Sequence, residues 1–293
     1  MYRNAMNDLY KWKAKKDKKP LIIRGARQVG KTWLMREFGR IAFDDMVYIN
    51  FDNNSQMKEL FSLDMRIERI ITGLELYVGH KIEPLNTLLV FDEVQEVPQA
   101  LAALKYFNEN APEYQIVCAG SLLGVALHGG TSFPVGKVEF LDLYPLSFTE
   151  FMRAMGRELF VELLEKQDFV MATTFKQEFI DLLKHYYYVG GMPEVVRNFA
   201  ADKDFGEVRE IQQRILDSYE QDFSKHAPNE IVPRIRMLWN SIPAQLTKEN
   251  KKFVYGIIKD GSRAKDYELA LMWLSDCGLV HKVHRVTAPH IPL

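Results

Sequence analysis

The sequence is poor in the features that would take a 293-residue chain out of the ordinary globular class. It has only two cysteines, Cys118 and Cys277. They are far apart in sequence and sit in apolar surroundings. They read as buried thiols of a reducing compartment, which excludes a disulfide framework and a cysteine-based metal centre. No apolar run approaches the ~20 residues that a membrane-spanning helix needs. The start carries no apolar signal region, since Lys11 to Lys19 is basic and polar. There is no internal repeat and no low-complexity tract. Net charge is also scarce: the formal value is -1. That excludes polyanion binding by bulk charge and leaves a local basic face open. A cytoplasmic protein without membrane contact is the expectation. With 47% hydrophobic and 26% charged residues the chain is expected to fold, and its length allows two or three domains with their own cores.

What the sequence does have is one stretch of specific chemistry. Gly25-Ala26-Arg27-Gln28-Val29-Gly30-Lys31-Thr32 fits the phosphate-binding pattern G-x-x-x-x-G-K-[ST]. The apolar run Leu21-Ile22-Ile23 feeds it, and a helical pattern from Trp33 to Phe38 follows, so the strand–loop–helix context is present. Gly25 and Gly30 permit backbone geometry that a side chain resists. The loop residues Gly25, Ala26, Arg27, Gln28, Val29, Gly30, Lys31, Thr32 and Trp33 are expected to bind a nucleotide, with N–H groups around the β-phosphate at a positive helix N-terminus. Lys31 would place a charge near the β- and γ-phosphates, and the Thr32 hydroxyl could ligate Mg²⁺. A glycine-rich turn before an ordinary helix is the bland alternative.

The second motif is Leu88-Leu89-Val90-Phe91-Asp92-Glu93. Four consecutive apolar residues suit a strand buried on both faces of a parallel sheet. The acidic pair emerges at the carboxyl end, where open α/β sheets bind ligands. Asp92 is expected to hold Mg²⁺, directly or through water, and Glu93 to polarise the attacking water. Gln115 to Ser121 reads as another buried strand with a polar tip. In an ATPase sheet it would lie between the two motif strands, so that Ser121 could bond the γ-phosphate or the water. Ser121 also fits a helix N-cap before Leu122-Leu123, and the two roles are compatible. Lys31, Glu93 and Ser121 are the candidate catalytic residues, and ATP with Mg²⁺ the candidate cofactor.

Helical spacing predicts helices over 4–14, 56–78 and 99–110. Val138 to Leu143 alternates like a fifth strand, and Ser147 to Glu150 fits a capping box that opens a new helix. From there to Phe223 the pattern is nearly all helical, interrupted by Gly190-Gly191-Met192-Pro193. The Tyr186-Tyr187-Tyr188 cluster could stack an adenine, although aromatics at a helix end are more often core. The last segment predicts helices over 231–246, 248–258 and 264–277, with Gly278 as cap. An alternating strand over 279–286 follows, which is the order of a winged helix. Lys248, Lys251, Lys252, Lys259, Arg263, Lys265, His281, Lys282, His284 and Arg285 make it locally basic, so duplex DNA is a candidate partner. A protein partner or self-association is the other reading. His281 and His284 lack companion ligands, so a metal site there is not expected. The apolar, proline-containing end at 288–293 suggests a C-terminal truncation.

These residues resemble the bacterial and archaeal AAA-type ATPases that carry a DUF4143 C-terminal region. The resemblance rests on the run 20–32, Phe91-Asp92-Glu93-Val94-Gln95, Ala119-Gly120-Ser121, Tyr144-Pro145-Leu146-Ser147-Phe148, Gly190-Gly191-Met192-Pro193, Asn250-Lys251-Lys252-Phe253 and the stretch 261–279. It implies an α/β fold with a P-loop NTPase core of the additional-strand, AAA-like type, built on a parallel sheet. A helical lid and a winged-helix-like segment follow, as in origin-recognition and STAND-like ATPases. The implied boundaries are 1–145, 146–226 and 227–293. Members often carry Gly-Arg where this chain has Gly136-Lys137, which leaves Lys137 as a possible substitute point charge. Two functional readings follow from the sequence. One is an ATP-hydrolysing switch with lid and winged helix as output. The other is a nucleotide-gated regulatory or defence-type interaction module with little turnover.

Overall fold

The buried run Thr87–Asp92 forms β3, and it organises a five-stranded sheet. The computed structural model describes residues 1–120, 134–249 and 252–284. The other strands are β1 (Leu21–Arg24), β2 (Asp45–Asn50), β4 (Gln115–Ala119) and β5 (Glu139–Asp142). Their order is β2-β3-β4-β1-β5, and every pairing is parallel. Leu21 pairs with Val117 on one side and Glu139 on the other, while Val90 pairs with Val117 and Tyr48. β4 therefore lies between β1 and β3, as the sequence predicts. β3 and β4 are buried along their whole length, whereas the edge strand β5 alternates. This is the expected contrast between a strand covered on both faces and one at the rim.

Helices cover the sheet: α1 (Ala5–Ala14), α2 (Lys31–Ala42), α3 (Ser55–Leu63), α4 (Ile67–Val78) and α5 (Pro98–Asn110). Phe51, Phe61 and Phe91 meet edge to face with centroids 5.5–5.9 Å apart, the arrangement that aromatic quadrupoles favour. The helix predicted over 56–78 is two helices. Asp64 turns extended after Leu63, and its Oδ1 accepts the Arg66 N–H at 2.9 Å. The break lets α3 and α4 fold against each other so closely that a Cβ on Gly73 would stand 2.3 Å from Leu60 Cδ1. The lysine-rich segment after α1 is tacked down, with Lys15 paired to Glu139 and Lys19 Nζ donating to the Gly136 carbonyl at 2.6 Å.

After β5 the chain becomes helical: α6 (Phe148–Ala154), α7 (Glu158–Glu165), α8 (Phe169–Thr174), α9 (Lys176–Val189), α10 (Pro193–Asp202) and α11 (Phe205–His226). The predicted capping box is present: Ser147 Oγ accepts the Glu150 N–H, and Glu150 Oε2 accepts the Ser147 N–H at 2.8 Å. The chain divides into two compact units, Met1–Leu216 and Asp217–Leu293.

In the second unit α12 (Val232–Leu246) packs on α13 (Ala264–Asp276), around Phe223, Trp239 and Trp273. Two expectations fail there. Over 248–258 the described residues hold one 3₁₀ turn, Tyr255–Ile257, because the buried Gln245 amide captures both the N–H and the C=O of Val254 and keeps that stretch extended. Residues 279–284 form no strand. Alternation alone does not make a strand when no partner supplies the ladder hydrogen bonds. Arg285 and Val286 lie outside the described residues. None of the described helices is long and apolar enough to cross a membrane.

Candidate functional site

The loop between β1 and α2 has the backbone its glycines allow. Gly25 has φ +150° and Gly30 φ +94°. A Cβ on Gly25 would stand 2.1 Å from the Leu143 carbonyl oxygen, so only glycine fits where the loop passes the exit of β5. Gln28 also takes a left-handed φ of 65°. Lys31 opens α2 and is 7% exposed. Its ammonium turns into the loop and donates to the Gly25 and Ala26 carbonyls, both at 2.8 Å. Burial lowers Lys31 to about 8, against the opposing pull of Glu93 and Asp92. Trp33, on the outer side of α2, is exposed.

Asp92 ends β3 at the same edge of the sheet and is buried. Its Oδ2 accepts from the Thr32 hydroxyl at 2.7 Å and from the Tyr48 hydroxyl at 2.9 Å, and its Oδ1 accepts the Glu93 N–H at 3.1 Å. Tyr48 is a residue that sequence reading missed. It comes from β2, its ring lies 4.1 Å beneath the Arg36 guanidinium, and burial, with the hydrogen bond to Asp92, pushes its phenol up to about 12. Glu93 sits in the left-handed region at φ 51°. Its Oε2 accepts from Gln95 Nε2 at 2.7 Å. Gln95 Oε1 is buried without a hydrogen-bond partner among the described residues. Gln95 was part of the resemblance but carried no assigned role.

The structure thus brings together Lys31, Thr32, Asp92 and Glu93. Ser121 lies outside the described residues; the strand leading to it, β4, does end at this edge. Lys137 is elsewhere. It precedes β5 and pairs with Glu109 at 2.8 Å. Because β5 runs parallel to β1, that is the edge opposite the loop, so Lys137 is no substitute point charge for this site within the chain. In the tyrosine cluster, Tyr186 donates to the Leu146 carbonyl at 2.7 Å and packs on Phe148 and Phe151, whereas Tyr187 is exposed. No group of three or more metal-ligating residues occurs among the described residues.

A parallel α/β sheet of this order, with a glycine-bounded loop before α2 and an acidic pair at the tip of β3, is the P-loop NTPase fold. Residues 17–152 match a family model described as an AAA domain, in keeping with the P-loop NTPase fold of this region. Residues 180–292 match a domain of unknown function, DUF8612, in place of the DUF4143 region that the resemblance implies. No curated protein matches the chain significantly. Among solved structures, the chain is similar to a Walker-type ATPase of Pyrococcus abyssi, with 15% identity, TM-score 0.58, and 94% of this chain and 89% of that one covered. It also aligns with Drosophila ORC bound to DNA, at 13% identity and TM-score 0.41, covering 97% of this chain and 82% of that one. The Aeropyrum pernix ORC1 protein in complex with DNA aligns at 12% identity and TM-score 0.36, covering 95% and 84%. Scores this low carry no conclusion about partners.

Proposed function

We propose that the chain is an ATP-binding, slowly ATP-hydrolysing switch of the AAA/STAND-like kind. The observation that carries this reading is the 2.7 Å contact between Thr32 and Asp92, which joins the phosphate loop to the acidic strand. Both are oxygen donors, the ligand type that a hard divalent cation takes, so the pair fits Mg²⁺. Bound Mg²⁺ would supply charge neutralisation at the β- and γ-phosphate oxygens. Lys31 would leave the neutral Gly25 and Ala26 carbonyls for charged phosphate oxygens, while the amides of 25–33 hold the phosphate chain. Glu93 would orient water, and Ser121 would read the γ-phosphate.

In this reading 1–145 is the ATPase core, 146–226 a lid and 227–293 an output domain, acting in the cytoplasm, that keeps α12 and α13 of the expected winged helix but, among the described residues, neither its middle helix nor its wing strand. Exposed Lys252, Lys259, Arg263, Lys265 and Lys282 favour duplex DNA as its partner. Lys248 is occupied within its own unit, on Gln245 Oε1 at 2.6 Å. The second reading, a nucleotide-gated protein-interaction module, is favoured by one contact: Gln95 holds the Glu93 carboxylate, which would keep basal turnover low.

The test is ATP turnover by the purified chain with and without duplex DNA, beside Lys31→Ala and Glu93→Gln. Turnover that rises with DNA and is lost in both variants is the expected result. Tight ATP binding without turnover, indifferent to DNA, would favour the second reading. Absence of ATP binding would overturn both.

A further inference from the structure

One buried cation close to the phosphate loop has no role in the chemistry above. Arg3, just before α1, is 5% exposed. Its guanidinium donates in three directions to three segments. Nη1 reaches the Val29 carbonyl of the loop at 2.8 Å, Nη2 the Tyr144 carbonyl at 2.6 Å, and Nε the Glu150 Oε1 at 3.1 Å. Glu150 is equally buried. Its Oε1 also takes the Asn4 N–H at 2.6 Å, and its Oε2 takes the Ser147 N–H at 2.8 Å. Stability alone does not call for such a pair, because apolar residues of similar volume often serve as well or better.

The geometry points to a task. Val29 C=O and Gly30 N–H belong to one trans peptide plane and face opposite ways. An arginine that holds the carbonyl on one side therefore fixes the direction of the Gly30 N–H on the other. The same 143–150 segment meets the loop again at Gly25, where the Leu143 carbonyl leaves no room for a Cβ. It also accepts the next helical segment, since the Leu146 N–H donates to the Gly191 carbonyl at 2.6 Å. We propose that Arg3 is a positioning residue for polyphosphate binding, holding the loop backbone through Val29 and tying it to the start of α6 through Tyr144 and Glu150. The planar fork of arginine can serve three diverging acceptors; a lysine ammonium on a flexible stem cannot hold this set.

This inference rests on the nucleotide-binding reading, and its test separates the two. Wild type, Arg3→Lys and Arg3→Met are compared by fluorescent-nucleotide titration for ADP and ATP, by thermal melting, and by amide hydrogen exchange without nucleotide. Arg3→Lys is expected to weaken both nucleotides about tenfold, the scale of one lost charge-assisted hydrogen bond. It should also speed exchange over 25–32 while leaving 87–92 protected. Unchanged affinity with only a lower melting temperature, or exchange raised evenly through the sheet, would overturn the proposal. If Arg3→Met does not fold, Arg3→Lys carries the test. If wild type binds no nucleotide, the functional reading fails, and exchange over 25–32 alone decides the role of Arg3.

Discussion

The Thr32 hydroxyl and the Asp92 carboxylate, 60 residues apart in sequence, are joined by a 2.7 Å hydrogen bond. Asp92 Oδ2 accepts a second one from Tyr48, so a phenol fixes the carboxylate against which Thr32 rests. Tyr48→Phe removes that bond and little volume. It should lower stability by about 1 kcal/mol, at the modest end for a bond to a charged acceptor because the hydroxyl is only half-buried. It should also raise the Mg²⁺ concentration needed for tight ATP binding. Chemical denaturation and ATP titration across a Mg²⁺ series would check both, and an unchanged Mg²⁺ dependence would assign Tyr48 a packing role alone.

The pH dependence of Lys31 has two opposite signs. Its folded value of about 8 lies below the ordinary 10.5, because burial disfavours the ammonium. Its contribution to folding stability is therefore full above pH 10.5 and is lost as pH falls through 8. Nucleotide affinity should run the other way, since phosphates select the ammonium. Above pH 8 the dissociation constant of ATP is expected to rise, approaching about tenfold per pH unit. Titrations across pH 7 to 9.5 would show the slope, and Lys31→Arg, whose guanidinium stays charged, should flatten it.

Gly25→Ala places a methyl group 2.1 Å from the Leu143 carbonyl oxygen at a φ of +150°. The loop or the exit of β5 must move. A loss of about 2–4 kcal/mol of stability is expected from the combined clash and strain, with nucleotide binding abolished. Gly79→Ala is the control: it has a positive φ of 82° but meets nothing within 4 Å, so it should show the smaller cost of backbone strain alone.

Burial pushes the Cys118 and Cys277 thiols far up from the ordinary 9.0. Since the folded value lies above the unfolded one, the thiols are without effect on stability at neutral pH and reduce it as pH rises past 9.0. Neither should react with a thiol reagent at pH 8 in the native protein, and both should react in denaturant. Rapid native labelling of Cys118 would mean that β4 opens locally.

The sequence was most readable where chemistry is local. The phosphate loop, the capping box at Ser147 and the buried run of β3 each declare themselves within eight residues, because glycine geometry, cap hydrogen bonding and burial on both faces constrain adjacent positions. Arg3, Tyr48 and Gln95 gave no such signal. Arg3 meets Glu150 across 147 positions and Tyr48 meets Asp92 across 44, and nothing in the spacing of a lone arginine or tyrosine names its partner. The helix over 56–78 failed for a related reason: apolar spacing continues through Asp64, Met65 and Arg66, while the polar contact that ends α3 is invisible to periodicity. The strand over 279–286 was predicted from alternation alone, and described residues 279–284 lack a ladder to complete it.

Interposing β4 between β1 and β3 gives the site a ruler. Two ladder steps set those strands about 10 Å apart, a distance fixed by amide hydrogen bonds and indifferent to side chains. At its tip β4 offers Ala119 and then Gly120, both small and both buried. Substitution can therefore retune the acidic pair or the lysine without altering the gauge between them, whereas enlarging the fully buried Ala119 would press on the spacer itself while every charged group stayed the same.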